Sequence, residues 1–227
     1  MRTLCIDIGG TGIKAIVIDP AGATLTERSR IETPQPASPA AVLAVIDEHL
    51  KVQGEFDRVS VGFPGVIHGP VIHTAPNLDP SWAGFDLGAA LEQRTGKPVR
   101  IANDAVIQGL GVIEGQGFEL ALTLGTGLGC GIYIDGRPAH VELAHHPYRK
   151  GKTYEEMVGN LARKEVGNKR WNKRVRQMLA QVEATFNYRK LYLGGGNVKH
   201  LDKEKLPANV QVGDNIAGLL GGIRLWQ

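Results

Sequence analysis

Cysteine is scarce: the chain carries two, Cys5 and Cys130, both in segments predicted as strands and in no spacing that ligates a metal. The pair predicts buried free thiols in a reducing compartment rather than a disulfide framework. Long apolar runs are missing too. None approaches the ~20 residues that span a bilayer, and Asp7 comes too early for the apolar core of a secretory leader. The expected setting is cytoplasmic, with no membrane partner. Neither sign of charge dominates, and a net charge of +3 is too small to argue for a nucleic-acid partner. Low-complexity tails and long linkers are absent, and 227 residues suffice for one good core or two small lobes.

What is present starts at Leu4. Two apolar, β-rich runs, 4–8 and 13–18, flank a Gly9-Gly10-Thr11-Gly12 corner, the pattern of a β-hairpin. The corner is not a Gly-x-x-x-x-Gly-Lys-Ser/Thr loop, and a strand rather than a helix follows it, which excludes a dinucleotide fingerprint. Asp7 lies at the end of the first strand beside backbone N–H groups that a ligand can approach closely. A carboxylate next to such a nest suits a Mg²⁺–phosphate complex; an ordinary glycine-rich hairpin is the alternative.

Further along, 23–31 alternates weakly and predicts a third strand, and 33–39 is a proline-rich loop. Ser38-Pro39 opens a helix with Val42, Val45, Ile46 and Leu50 as its apolar stripe. A buried-type strand over 58–63 leads to Pro64-Gly65 and a hairpin through His68-Gly69-Pro70. Asp86 caps a helix to Thr95. A strand over 99–102 runs into Asn103-Asp104, where a helix to about Glu114 begins. Strands over 120–124 and 132–134 enclose Gly125-Thr126-Gly127-Leu128-Gly129, a second corner like the first and so a weak internal repeat. A long helix is expected over 171–186, a strand over 190–193 closed by Gly194-Gly195-Gly196, and a final helix over 215–225.

Several of these pieces carry chemistry. Asn103-Asp104 sits at the carboxyl end of a strand, where open α/β sheets bind ligands; the carboxylate there can accept a hydroxyl proton and the amide can hold a second hydroxyl. Both residues are also common helix caps. Glu142 and His145 are spaced for hydrogen bonding to a polar ligand, a zinc site lacking cysteine support, and a plain surface pair is the alternative. The triple glycine can let adenine or phosphate lie flat against backbone, or simply turn a corner. Arg163, Lys164, Lys169, Arg170, Lys173, Arg174 and Arg176 make a dense basic segment, either a solvated helix face or an attractor of polyanions.

Taken together these residues resemble the ROK sugar kinases. The resemblance runs almost end to end, through Asp7-Ile8-Gly9-Gly10-Thr11 with Lys14, Gly62-Phe63-Pro64-Gly65, Ala75-Pro76-Asn77-Leu78 with Trp82, Asn103-Asp104, Leu124 to Gly129, Glu142-Leu143-Ala144-His145 and the triple glycine. The stretch 181–199, and the missing cysteine cluster after the Glu-x-x-His motif, resemble the polyphosphate glucokinase branch most. No helix-turn-helix is expected ahead of the first strand, which sets the repressors of the family aside.

The resemblance implies an α/β, actin/hexokinase-like (ribonuclease H-like) fold of two lobes around a central ligand cleft. The first lobe would be 1–103 completed by a C-terminal helix, 214–227, and the second 104–213. Asp104 would be the general base toward the 6-hydroxyl of a hexose, glucose first. Gly65, Asn77, Asn103, Glu142, His145 and Glu155 would hold the sugar, Glu156 lying next to the last. Gly9, Gly10, Thr11, Lys14, Thr126 and Gly127 would cradle phosphates, with Mg²⁺ near Asp7 through water and Gly195 and Gly196 beside an adenosine. The donor would be ATP or inorganic polyphosphate, no structural zinc is expected, and a homodimer is left open. Ala144 stands where the family has glycine, and Arg149, Lys150 and Lys152 stand where acidic residues are common in that branch. These departures keep open a kinase for another hexose or an amino sugar, and a catalytically silent sugar sensor.

Overall fold

The computed structural model describes residues 1–76, 78–139, 141–213 and 221–227. The chain divides into two compact units, one of 1–111 with 221–227 and one of 112–213.

In the first unit, β1 (Thr3–Ile8) and β2 (Ile13–Ile18) pair antiparallel across the Gly9–Gly12 corner, in a register that sets Asp7 opposite Lys14. The expected third strand shrinks to β3 (Ser29–Ile31). After the Asp19 turn Thr24 bridges Ile18 and Leu25 N–H reaches Val17 O, but Val17 N–H goes to the Thr26 hydroxyl rather than to backbone, and the ladder resumes only at Ser29. Helix α1 (Pro39–Val52) starts as expected, with Ser38 accepting from Ala41 N–H. It buries Val42, Leu43, Ile46 and His49 against the sheet. Ser38→Ala should lower stability by about 0.5–2 kcal/mol, read as a thermal midpoint, with no change in ligand affinity.

The unit continues with β4 (Arg58–Phe63), the hairpin β5 (Ile67–His68) and β6 (Val71–Ile72), α2 (Leu87–Thr95), β7 (Val99–Asn103) and α3 (Asp104–Leu110). Its sheet has the order β3-β2-β1-β4-β7, with β1, β4 and β7 parallel. The helix expected to reach Glu114 ends four residues earlier, because Glu114, Gly115 and Gln116 give their N–H groups to the buried carboxylate of Glu119.

The second unit repeats that plan. Strands β8 (Phe118–Leu124) and β9 (Leu128–Ile134) pair antiparallel across the Gly125–Gly127 corner, and β10 (Arg137–Ala139) extends the meander. A small hairpin of β11 (Pro147–Arg149) and β12 (Lys152–Thr153), not anticipated from the sequence, precedes α4 (Tyr154–Val158). Helix α5 (Asn160–Phe186) begins earlier than expected and breaks at Gly167, whose φ of 76° L side chains rarely adopt. Then come β13 (Lys190–Gly194) and β14 (Val210–Val212), giving the order β10-β9-β8-β13-β14 with β8, β13 and β14 parallel. Strand for strand this is the order and polarity of the first sheet, so the weak repeat of the two glycine corners extends to the whole of both sheets.

Each unit has its own core. In the first, Leu4, Ile6, Ile8, Val59, Val61 and Phe63 pack with α1 and with Trp82, whose indole N–H donates to Ala37 O at 2.8 Å. In the second, Leu120, Leu122, Leu191 and Leu193 pack with Trp171, Val175, Met178 and Val182 of α5. Of the final helix expected over 215–225, 214–220 lie outside the described residues. The described part, α6 (Gly221–Arg224), lies against β1, β4 and α3, with Ser60 Oγ donating to Gly222 O at 2.6 Å. Among the described residues no helix is long and apolar enough to cross a membrane.

Candidate active site

The first unit gathers its candidate residues at the carboxyl ends of β1, β4 and β7. Lys14 Nζ donates to Asp7 Oδ2 at 2.8 Å across the hairpin. Gly62 on β4 leaves room beside them: a Cβ there would stand 3.6 Å from both Asp7 Oδ1 and Asp104 Cα. Asp104 heads α3, with Oδ1 taken by Ala105 N–H at 2.8 Å. Its carboxyl is pushed up to about 6, chiefly by burial; the Asp7 charge adds to the rise, and the Ala105 hydrogen bond and the Lys14 ammonium oppose it. A carboxyl so poised is ionised at neutral pH yet basic enough to take a proton.

Asn103 takes the helix-cap role of its two sequence readings. Its Oδ1 caps α3 at Ala105 N–H, 2.9 Å away, and its Nδ2 donates to Gly65 O at 3.1 Å, tying the β7–α3 junction to the loop after β4. That loop is tight, since a Cβ on Gly65 would fall 1.9 Å from Thr74 O. Asn77 lies outside the described residues.

The first corner is closed by Gly9 N–H on Gly12 O at 3.1 Å and braced by the Thr33 hydroxyl on Gly9 O. Among the described residues no acceptor meets the N–H groups of Gly10 and Thr11. Free amides at a glycine corner form an anion-binding concavity.

The second unit builds the equivalent corner. Gly125 N–H donates to Gly127 O at 3.1 Å, and the Thr126 and Gly127 N–H groups meet no acceptor among the described residues. Glu155 organises what lies around it. One carboxylate oxygen accepts from Leu128 N–H at 3.1 Å and would sit 1.9 Å from a Cβ on Gly127; the other is 4.0 Å from His145 Nε2. Glu156, its neighbour, is turned away and forms a capping box with Thr153. Glu142 and His145 are both exposed, and Glu142 Oε1 accepts from Ala144 N–H at 2.7 Å.

At the end of β13, Gly195 has a φ of 89°, and a Cβ there would meet Leu124 O at 2.5 Å, so the residue must lack a side chain. Gly196 is exposed with open space around it. The residue that joins the triple glycine to the corner is Asn197, whose Nδ2 donates to Gly125 O at 2.8 Å and whose N–H donates to Leu124 O at 2.9 Å. Asn160 N–H also reaches Gly125 O and Thr126 O. Sequence reasoning assigned no role to Asn197, Asn160 or Thr33. For Asn197 the signal was a buried amide directly after a strand-ending glycine run.

Both thiols are free, Cys5 buried and Cys130 half-buried, and desolvation pushes each up to about 12. Among the described residues no group of three or more His, Cys, Asp or Glu side chains is arranged to hold a metal.

Two sheets of matching topology, each opening with a glycine-cornered hairpin, and a carboxylate at a strand's carboxyl end are features of the actin/hexokinase-like kinases. The chain belongs to the ROK family, whose profile matches residues 3–144. It is 31% identical to the polyphosphate glucokinase of Mycobacterium tuberculosis (strain CDC 1551 / Oshkosh), over 95% of this chain and 88% of that one. Among solved structures it is similar to the inorganic polyphosphate/ATP-glucomannokinase from Arthrobacter sp. strain KM, with a TM-score of 0.84 and 32% identity, covering 100% of this chain and 99% of that one. A ROK family glucokinase from Streptomyces griseus, at 20% identity and a TM-score of 0.81 over 99% of each chain, shares the fold.

Proposed function

We propose that the chain transfers a phosphoryl group from inorganic polyphosphate or ATP to the 6-hydroxyl of glucose. The observation that carries this reading is Asp104: a carboxylate at the head of a helix, raised to about 6, with Oδ1 held by Ala105 N–H. The relatives support the reaction class. The name of the Arthrobacter enzyme makes mannose the second acceptor to consider.

In this account Asp104 Oδ2 takes the proton of the 6-hydroxyl as that oxygen bonds to phosphorus. The bond from phosphorus to the donor's bridging oxygen breaks, and the donor leaves one phosphate shorter. In this reading Asn103, the Gly65 backbone, Asn77, Glu142, His145 and Glu155 are the residues that would hold sugar hydroxyls. The free amides of Gly10, Thr11, Thr126 and Gly127, with Gly9, bind phosphoryl oxygens, and Gly195 and Gly196 leave room for an adenosine. Phosphoryl transfer asks mainly for such positioning and for charge neutralisation.

A Mg²⁺ ion, when bound, supplies the latter. Asp7 would hold such an ion through water, since Mg²⁺ favours one or two carboxylates beside phosphate oxygens. Lys14 holds Asp7 in place and lowers the proton affinity of Asp104. Lys14→Met should therefore move the acid limb of the kcat/KM profile to higher pH and reduce kcat; an unmoved limb would separate Lys14 from the base.

The reading is tested by a coupled 6-phosphate assay with glucose, mannose and glucosamine, each with polyphosphate·Mg²⁺ or ATP·Mg²⁺. Turnover of glucose with at least one donor is expected. Sugar binding without turnover in every pairing would leave a sensor.

A further inference from the structure

Helix α5 carries more positive charge than its own unit neutralises. Arg163, Lys164, Lys169, Arg170, Lys173, Arg174 and Arg176 face a single acid of the same stretch, Glu165. Among the described residues none of the seven pairs with a carboxylate, whereas Lys14, Lys51, Arg94, Arg189 and Lys205 all do.

Two of the guanidiniums are held by neutral partners instead. Arg163 donates to Asn160 Oδ1 at 3.0 Å and to Asn168 Oδ1 at 3.1 Å, spanning the break at Gly167. Arg174 donates to Met157 O at 3.4 Å, and Arg149, from the β11–β12 hairpin, to Gln177 Oε1 at 3.0 Å. The cations are thus partly fixed but uncompensated.

Spacing aggravates the repulsion. Lys169 and Lys173, and Arg170 and Arg174, are four apart, the separation at which helical neighbours of like charge destabilise each other. Trp171, Val175, Met178, Leu179 and Val182 turn one face of the helix after the break into the core, leaving Lys169, Arg170 and Lys173 exposed, as is Lys164 before it, with Arg163, Arg174 and Arg176 half-buried. The positive region extends beyond the helix: desolvation first, and then the charges of Arg163 and Lys199, oppose the protonation of His200. An unpaired basic face of this length is complementary to a linear polyanion, which brings its own regularly spaced charges.

We propose that the solvent face of α5, extended by Arg149 and Lys199, is a docking track for the inorganic polyphosphate chain. The proposal rests on the polyphosphate-donor reading above and adds where the chain is gripped away from the phosphate corners. A long donor would be held by the track, whereas ATP and tripolyphosphate, too short to follow the helix, would depend on the corners alone.

The test compares the wild-type chain with Lys169→Glu/Arg170→Glu/Lys173→Glu and with the neutral Lys169→Gln/Arg170→Gln/Lys173→Gln. Binding of long-chain polyphosphate, tripolyphosphate and single-stranded RNA is measured by calorimetry across a salt series, and KM is measured for polyphosphate and ATP. The reversal should weaken long-chain polyphosphate by about tenfold or more at low salt, with the neutral variant between, and the difference should close toward ~1 M salt. Tripolyphosphate binding and KM for ATP should not change.

Unchanged long-chain affinity in both variants overturns the track, as does an equal loss with tripolyphosphate and ATP. RNA binding tighter than polyphosphate at equal phosphate concentration also overturns it, and makes the face a nucleic-acid surface. A wild type that binds long-chain polyphosphate but phosphorylates no sugar defeats the kinase reading while leaving the binding comparison standing.

Discussion

Asp104→Asn should lower turnover by about 10²–10⁴-fold, the range that general base catalysis contributes, while glucose affinity changes little. The substitution is nearly isosteric, and the amide oxygen can still accept from Ala105 N–H, so the head of α3 keeps its cap. What is lost is the second oxygen's capacity to take a proton.

The same carboxyl sets the pH profile. Raised to about 6, first by burial and then by Asp7, it must be ionised to act, so wild-type kcat/KM should fall as pH drops below about 6. Stability moves the other way. Asp104 binds its proton more tightly folded than unfolded, so its contribution is intact below the ordinary value of 3.8 and is lost as pH rises through about 6. Asp104→Asn removes that loss, so its thermal midpoint should gain on the wild type as pH rises from 3.8 to about 6 and keep that gain above. A variant that is inactive and also unfolded would not fit; one that is inactive and more stable at high pH would.

The largest stability effect is expected at Trp171. Its ring is fully buried between α5 and the second sheet, and its N–H satisfies Val158 O at 2.7 Å, fixing the end of α4. Trp171→Ala should cost about 3–5 kcal/mol, from lost burial and the cavity left behind. Trp171→Phe keeps most of the apolar contact but leaves Val158 O unpaired, so about 1–3 kcal/mol of the loss should remain. Urea denaturation of both variants separates the two contributions. Because α4 carries Glu155, which accepts from Leu128 N–H beside the second corner, Trp171→Phe should also weaken donor binding.

Much of this architecture was legible in the sequence because it rests on local pattern. Apolar runs broken by Gly-Gly-Thr-Gly and Gly-Thr-Gly leave few alternatives to two hairpins, and Ser38-Pro39 starts a helix by capping chemistry alone. The misses were non-local. Nothing near residue 111 announces that the backbone ahead of it will be claimed by Glu119, a buried acid that also binds Arg189 and Tyr192. The alternation over 23–31 is that of a strand, but the Thr26 hydroxyl takes Val17 N–H in place of a backbone partner and the ladder lapses until Ser29. Gly167 sits in a helical pattern that the sequence shows only from Trp171, since the basic residues before it give no apolar stripe. At the site, residue types could be read and partners could not. The choice between Glu155 and Glu156 rests on Thr153, whose capping box claims the second and leaves the first to face Gly127.

The central claim is that Asp104 deprotonates a hexose hydroxyl for phosphoryl transfer. Its most direct test is phosphorus NMR of glucose, Mg²⁺ and either polyphosphate or ATP with the wild-type protein and Asp104→Asn, after sugar binding to both has been measured. The account predicts a 6-phosphomonoester resonance that grows with the wild type and is absent, on the same timescale, with a variant that still binds glucose. A resonance growing equally in both samples would contradict the role of Asp104, and none in either, despite bound sugar, would contradict the kinase.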